Sequence, residues 1–208
     1  MQNPIKYPRT PHLPWSPGFT DDDVFNKNLS HFENLEVVVT EKMDGENTTL
    51  YCDGLHARSI DGRSHPSRDW LKAWHAQIST QLPLGWRFCG ENMFAEHSIR
   101  YDSLNHYFYL FSVWNEENTC LSWDETQEWA ERLGCSVPSV LYMGEWNEKE
   151  IKQITINEEI EEGYVVRTSD GFPYENFTQH IAKWVRPNHV QTDQHWMHQE
   201  ITPNGLKK

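Results

Sequence analysis

Between residues 35 and 60 the apolar side chains come in short β-branched runs separated by turn-forming residues, a pattern that predicts strands at 35–41, 47–52 and 55–60. Cys52-Asp53-Gly54 and Asp61-Gly62-Arg63 supply the turn chemistry between and after the later two. The period then changes: from Pro66 to Ile78 the large side chains Trp70, Leu71, Trp74 and Ile78 recur on one helical face. Strands are predicted again at 86–91 and 107–114. Ser122 with Glu125 reads as a capping box for a helix that Gly134 ends. A short helix near 147–153 precedes strands at 163–167 and 179–185. Upstream, residues 1–20 hold five prolines and predict an extended segment, with His12-Leu13-Pro14-Trp15 as a packed strap. Asp21-Asp22-Asp23 is placed to cap a short helix to about Leu29. Strands outnumber helices and interleave with them, which is the α+β class.

Composition narrows the picture. A chain of 208 residues with ten Trp and 13% aromatics has enough apolar surface for one packed domain. No apolar run approaches the roughly 18 residues of a membrane span. The start Met1-Gln2-Asn3-Pro4 lacks the basic and apolar regions of a signal peptide, so a soluble, intracellular protein is expected. Cys52, Cys89, Cys120 and Cys135 have no CxxC spacing and read as reduced thiols. The net charge of −13 argues against a polyanion partner until its distribution is considered. Residues 111–162 carry thirteen acids against three bases, whereas 61–110 balance at five and five and 163–208 carry five bases against four acids. A nucleic acid could use a locally basic face, with weak and salt-sensitive binding.

Five separated patches each put a charged group at the end of an apolar strand, where a rigid scaffold commonly mounts chemistry. They are Lys42-x-Asp44-Gly45, Arg58-Ser59, Phe88-x-Gly90-Glu91, Glu162-Gly163-Tyr164-Val165-Val166, and Lys183 within His180-Ile181-Ala182-Lys183-Trp184-Val185. Taken alone, Lys42 is either a surface charge on a hairpin or a nucleophile. Three cations, several carboxylates and glycines at points of close approach suit a nucleoside triphosphate, a metal ion and a covalent lysine. A lysine must be neutral to attack phosphorus, although its ordinary pKa is near 10.4; a second cation, a metal and partial burial would lower it.

In this order the patches resemble the covalent nucleotidyltransferase superfamily of polynucleotide ligases and RNA capping enzymes. Lys42-Met43-Asp44-Gly45 matches its nucleophile motif. The extended form Glu41-Lys42-x-Asp44-Gly45-x-Asn47 is similar to the RNA-ligase branch that repairs nicked duplex RNA. So is the stretch from Gly90 to Tyr101, with Tyr107 to Trp114 after it. The resemblance spans about residues 36–190. It implies an ATP-grasp-like adenylation domain of antiparallel sheets flanked by helices, with ATP and Mg²⁺ (or Mn²⁺) as cofactors. The implied partners are RNA ends or a nicked duplex, with an accessory end-healing or RNA-binding protein as a further one and no membrane. By resemblance, Lys42 takes AMP from ATP, the AMP passes to an RNA 5′-phosphate, and a 3′-hydroxyl displaces it.

The resemblance also implies roles. Glu41 reads the adenine edge, and Asp44, Gly45 and Asn47 orient the nucleotide or RNA end. Arg58 contacts ribose or phosphate, with Arg63 as an alternative. Glu91 holds the ribose hydroxyls and Phe111 stacks on adenine. Glu162 engages Mg²⁺ or the lysine, with Glu161 as a substitute, and Lys183 contacts the α-phosphate. Two departures stand out. Where the family's last motif offers two lysines, the earlier position is Ile181, leaving Lys183 alone or helped by Arg186 or His180. About 20 residues follow Arg186 in place of an appended domain, so 1–208 reads as a single adenylation domain. A DNA ligase, a capping guanylyltransferase and a catalytically idle nucleic-acid-binding scaffold remain the alternatives. The tail His189-x5-His195-x2-His198 with Trp196 fits no tight zinc spacing and reads as a packed helix or an RNA contact.

Overall fold

The computed structural model describes residues 4–19, 23–60, 65–189 and 201–208. The β-branched runs form two antiparallel sheets. In the first, β1 (Glu36–Glu41), β7 (Val140–Glu145), β8 (Gly163–Thr168) and β10 (Ile181–Val185) are ordered β10-β8-β1-β7. The second contains β2 (Glu46–Tyr51), β3 (Gly54–Ala57), β4 (Arg87–Asn92), β5 (Phe108–Trp114), β6 (Thr119–Cys120) and β9 (Phe172–Pro173), ordered β3-β2-β4-β5-β6-β9. The chain passes from one sheet to the other within the four residues between β1 and β2, so the Lys42–Gly45 turn lies where the sheets meet.

Alternation sorts the side chains into layers. Leu50, Phe88 and Leu110 of the second sheet pack with Leu71 and Ile78 of α1 (Asp69–Ile78) and with Ala130 and Leu133 of α2 (Trp123–Leu133). Val37, Val39, Val166 and Ala182 of the first sheet pack with Leu13, Phe32 and Ile151, the last from α3 (Glu148–Lys152). A third cluster joins the sheets: Cys89 and Trp114 from the second, Ile181 from the first, with Phe177 of α4 (Phe177–His180).

Several local signals act as expected. Ser122 and Glu125 form the reciprocal capping box, and Gly134 closes α2 in the left-handed conformation at φ 69°. The proline-rich segment is a strap along the free edge of β10: Leu13 N donates to Lys183 O (2.8 Å), Lys183 N to Pro11 O (2.9 Å) and Gly18 N to Val185 O (2.9 Å). It satisfies an edge that would otherwise be open to pairing. All four cysteines are free thiols. No helix among the described residues is long and apolar enough to cross a membrane.

Two expectations are corrected, and one strand was not foreseen. Residues 23–29 do not form a helix; the nearest helical segment after them among the described residues is the 3₁₀ turn Ser30–Phe32, and His12 N and Asn26 N engage Val24 O and His12 O instead. The strand predicted from 179 begins at Ile181, because Phe177–His180 closes a helical turn against Phe172, which stacks on His180 (4.6 Å). Strand β7 carried no readable period: Tyr142 packs on the core while Leu141 and Met143 on the other face are exposed, so apolar side chains stand on both faces of this sheet edge.

Arg167 ties the sheets together. It projects from β8, is buried, and donates to Phe111 O (3.3 Å), Leu121 O (2.7 Å) and Thr168 O (3.1 Å). Removing the guanidinium leaves those carbonyls without their charged donor, so Arg167→Met should cost about 3 kcal/mol. A urea-unfolding midpoint unchanged from wild type would contradict this role.

Candidate active site

The site lies where one end of the first sheet meets the second. Lys42 follows β1 directly, and its backbone N–H donates to Gly163 O (2.9 Å), which fixes the lysine at the start of β8. Gly163 is required here: a Cβ would lie 2.0 Å from Trp184 O of the adjacent strand. Glu162 precedes it, and its backbone carbonyl accepts from Arg186 N (3.0 Å). Lys42 Nζ donates to Glu162 Oε2 at 2.7 Å, with the glutamate buried and the lysine side chain 23% exposed. From the second sheet, Asn47 and Glu91 are direct cross-strand partners in β2 and β4.

Asp44 sits in a cradle. Its Oδ2 accepts from Ser98 N (2.9 Å), Ser98 Oγ (2.7 Å) and Ile99 N (2.8 Å), while its backbone N–H donates to the Tyr101 hydroxyl (3.2 Å). The loop carrying these donors is pinned by Asn204, whose side chain donates to Met93 O (2.8 Å) and accepts from Tyr101 N (2.9 Å). Gly45 is packed so closely that a Cβ would fall 2.6 Å from Met93 Sδ and 2.7 Å from Asn92 O.

The electrostatics follow from desolvation and pairing. Burial disfavours the Lys42 ammonium, but Glu162, Glu91 and Asp44 outweigh it and raise its pKa above the ordinary value. Burial likewise opposes the Glu162 carboxylate, yet Lys42 and His189 hold its pKa down to about 2. Glu91 takes the other course. Its burial is not offset by Lys42, and with Glu162, Asp44 and Glu46 nearby its pKa rises to about 8, leaving it protonated at neutral pH. Burial and the neighbouring Lys42 charge lower Lys183 to about 8 against the opposing pull of Asp23, whose Oδ1 is 3.7 Å away.

The structure therefore brings Lys42, Asp44, Asn47, Glu91, Glu162 and Lys183 to one place. Arg58 is placed by its Nε donating to Tyr7 O (3.4 Å) and lies close enough to Lys183 to lower its pKa. Phe111 is half-buried between the sheets, edge-on to Tyr7 at 5.2 Å. Glu41 ends β1 opposite Tyr164, and burial raises its pKa. Glu161 does not share the position of Glu162; its carboxylate accepts from Asn157 N and closes the preceding turn. The charge absent at Ile181 is not replaced by the residues suggested for it. Ile181 is buried in the inter-sheet core, His180 bonds Thr168 Oγ1 (3.1 Å), and Arg186 donates to Glu158 O. Arg63, His195, Trp196 and His198 lie outside the described residues.

Sequence reasoning missed Asp23, the Ser98–Ile99 donors and the position of His189. The His189 ring reaches Glu162 Oε1 (3.2 Å) and Asp44 Oδ1 (3.7 Å). Only Ser98 and Ile99 carried a signal, as members of the Gly90–Tyr101 stretch. The donor set suits a nucleotide and a divalent cation: Asn47 Oδ1 is buried with no hydrogen-bond partner among the described residues, and Asp44 and Glu162 each keep one carboxylate oxygen turned toward the site.

Two antiparallel sheets with few helices, meeting at Lys42, match the fold of ligase nucleotidyltransferase domains. The chain belongs to the RNA ligase family, whose model matches residues 35–185. Comparison with curated proteins returned no match. Among solved structures, the chain resembles Naegleria gruberi RNA ligase with PPi, with TM-score 0.56 and 18% identity over 88% of this chain and 61% of that one. It also resembles an archaeal ATP-dependent RNA ligase, with TM-score 0.57 and 14% identity over 86% and 48%. A third match is an Aquifex aeolicus protein described as an ATP-dependent DNA ligase, with TM-score 0.51 and 24% identity over 76% and 45%. The chain thus spans about half of the solved ligases it matches, and these likenesses establish the fold.

The Asp44 cradle yields a stability test. Asp44→Ala removes the charged acceptor of three hydrogen bonds, of which the one from Ile99 N is buried, and should cost about 2–3 kcal/mol, whereas Ser98→Ala removes only the hydroxyl bond and should cost about 1 kcal/mol. Equal unfolding midpoints for the two variants would show that the cradle does not hold the loop.

Proposed function

We propose that this protein is an ATP-dependent RNA ligase acting through Lys42. The observation that carries the proposal is the convergence of Lys42, Glu162 and Lys183 from the first sheet on Asn47 and Glu91 from the second, in a chain of the RNA ligase family. Neutral Lys42 Nζ attacks the α-phosphorus of ATP; the P–N bond forms, the bond to the β-phosphate oxygen breaks, and pyrophosphate leaves. The AMP then passes to the 5′-phosphate of an RNA end, which frees Lys42. Attack by a 3′-hydroxyl finally seals the strand and releases AMP.

The residues divide this work between positioning and charge. Lys183 and Arg58 receive phosphate oxygens, and Asn47 offers its unpaired Oδ1 to nucleotide or RNA end. Protonated Glu91 presents both a donor and an acceptor to the ribose hydroxyls. Glu41 lies at the adenine edge, and Phe111 supplies a face for stacking. Before nucleotide enters, Lys42 carries its own proton and donates it in a hydrogen bond to the Glu162 carboxylate, so that proton must pass to solvent before the amine attacks. Asp44 and Glu162 would hold a divalent cation, which draws carboxylate charge away from Lys42 and neutralises the phosphates. The Glu41–Asn47 motif supports a nicked duplex as substrate, and the inter-sheet core supports a single catalytic module. The Aquifex likeness favours a DNA nick as the second reading, which ligation of matched RNA and DNA nicks would separate.

The central test is incubation with α-labelled ATP and a divalent cation, followed by a denaturing gel. Wild type should carry an acid-labile label that Lys42→Ala abolishes, and label surviving in Lys42→Ala would end the proposal. Labelled GTP should give none, which separates a ligase from a capping enzyme.

Lys183 predicts a pH dependence with a definite sign. Below about pH 8 it is already charged and ready for phosphate; above that value a proton must be taken up on binding. ATP affinity should therefore fall as pH rises from 8 to 9.5, by up to about tenfold per unit. Glu91 loses its proton in the same window, so the test uses Glu91→Gln as the background: there, adding Lys183→Arg, which stays charged, should flatten the profile in a calorimetric titration, and an equal decline with Lys183 and with Arg at that position would refute the assignment.

A further inference from the structure

Just after β10, the chain turns back through Asn188, which adopts the left-handed conformation at φ 57°. Asparagine tolerates that conformation better than most residues, and such positions gather at functional sites. The turn brings the next residue, His189, inward until its side chain is only 3% exposed. Its Nε2 lies 3.2 Å from Glu162 Oε1 and 3.7 Å from Asp44 Oδ1, and the three ligand atoms all fall within 4.8 Å of one another.

The two carboxylates are arranged alike. Each has one oxygen committed to the protein and the other turned to the imidazole. Asp44 Oδ2 is held by Ser98 N, Ser98 Oγ and Ile99 N, and Glu162 Oε2 by Lys42 Nζ. Outer contacts of this kind orient metal ligands by fixing the atom that does not bind. Ligands about 2.1 Å from an ion stand roughly 3–4 Å apart, and the two separations from His189 Nε2, 3.2 and 3.7 Å, fall in that range. The free oxygens Asp44 Oδ1 and Glu162 Oε1 both face the imidazole, so the ligand atoms offered at this point are two carboxylate oxygens and one ring nitrogen.

We propose that His189 is a metal ligand and that Asp44, Glu162 and His189 together form a site for a first-row divalent cation. The imidazole sets the preference. Mg²⁺ prefers an all-oxygen shell and retains its waters, whereas Mn²⁺, Co²⁺ and Zn²⁺ accept nitrogen. Binding at this site is therefore selective for Mn²⁺ over Mg²⁺. The catalytic role of the cation rests on the ligase reading above, but its binding is measurable without nucleotide or RNA.

Manganese itself is the probe, added to the full chain free of ATP and followed by electron paramagnetic resonance. Wild type should bind one Mn²⁺ per chain, and pulsed spectra should show nitrogen modulation from a directly bound imidazole. His189→Gln should lose that modulation and bind Mn²⁺ at least about tenfold more weakly, with Mg²⁺ affinity unchanged within about threefold. Absence of nitrogen modulation in wild type would overturn the proposal, whether or not the variant folds. So would unchanged Mn²⁺ affinity in a folded His189→Gln. If the nitrogen signal is present while Lys42 takes no label from ATP, the metal site stands and the ligase reading fails.

Discussion

Burying an ammonium and a carboxylate together is unfavourable unless each finds the other at close range with its remaining charge compensated. The Lys42–Glu162 pair meets that demand, and much of the surrounding structure serves it. Lys42 is placed by the hydrogen bond from its own backbone to Gly163 O. Gly163 in turn allows β10 to approach so closely that Lys183 enters the same pocket. Glu162 is buried while Lys42 keeps a 23% exposed side chain, so the pair opens to the site on the lysine side.

The second sheet is held in place by polar contacts as much as by packing. Arg167 crosses from β8 to the carbonyls of Phe111 and Leu121, fixing the distance between sheets. Glu46 and Arg68 form a second buried ion pair that fastens the entry of α1 to β2. Asn204, far along the chain, holds the loop whose amides cradle Asp44. The burial that Lys42 and Glu162 withstand by pairing pushes Glu91 toward its neutral form, so neighbouring carboxylates acquire different protonation states from their surroundings alone.

Much of the scaffold was legible because its signals are local. The strands of residues 36–51 and 87–92, the capping box at Ser122 and the strap at Leu13 each follow from side chains within a few positions of one another. Helix formation after Asp21 was misread because Val24 and Asn26 pair with His12, a contact twelve or more residues away that overrides local capping. Strand β7 was missed for the opposite reason: its run Val140-Leu141-Tyr142-Met143 is apolar on the core face and on the exposed face alike, which leaves no alternation to read. In the site, the ordered motifs pointed to Lys42, Glu91, Glu162 and Lys183, whereas Arg186 and His180 proved to be engaged elsewhere.

The sequence by itself determined the strand-forming runs, the turns between them and the set of charged groups at their ends, since period, β-branching and turn chemistry act over a few residues. Only the tertiary structure decided which of those groups share a pocket, and therefore which carboxylates are charged. Lys42 and Glu162 are 120 residues apart, and His189 comes to them through one left-handed turn after β10. Charge states depend on distances and burial that no spacing along a chain encodes.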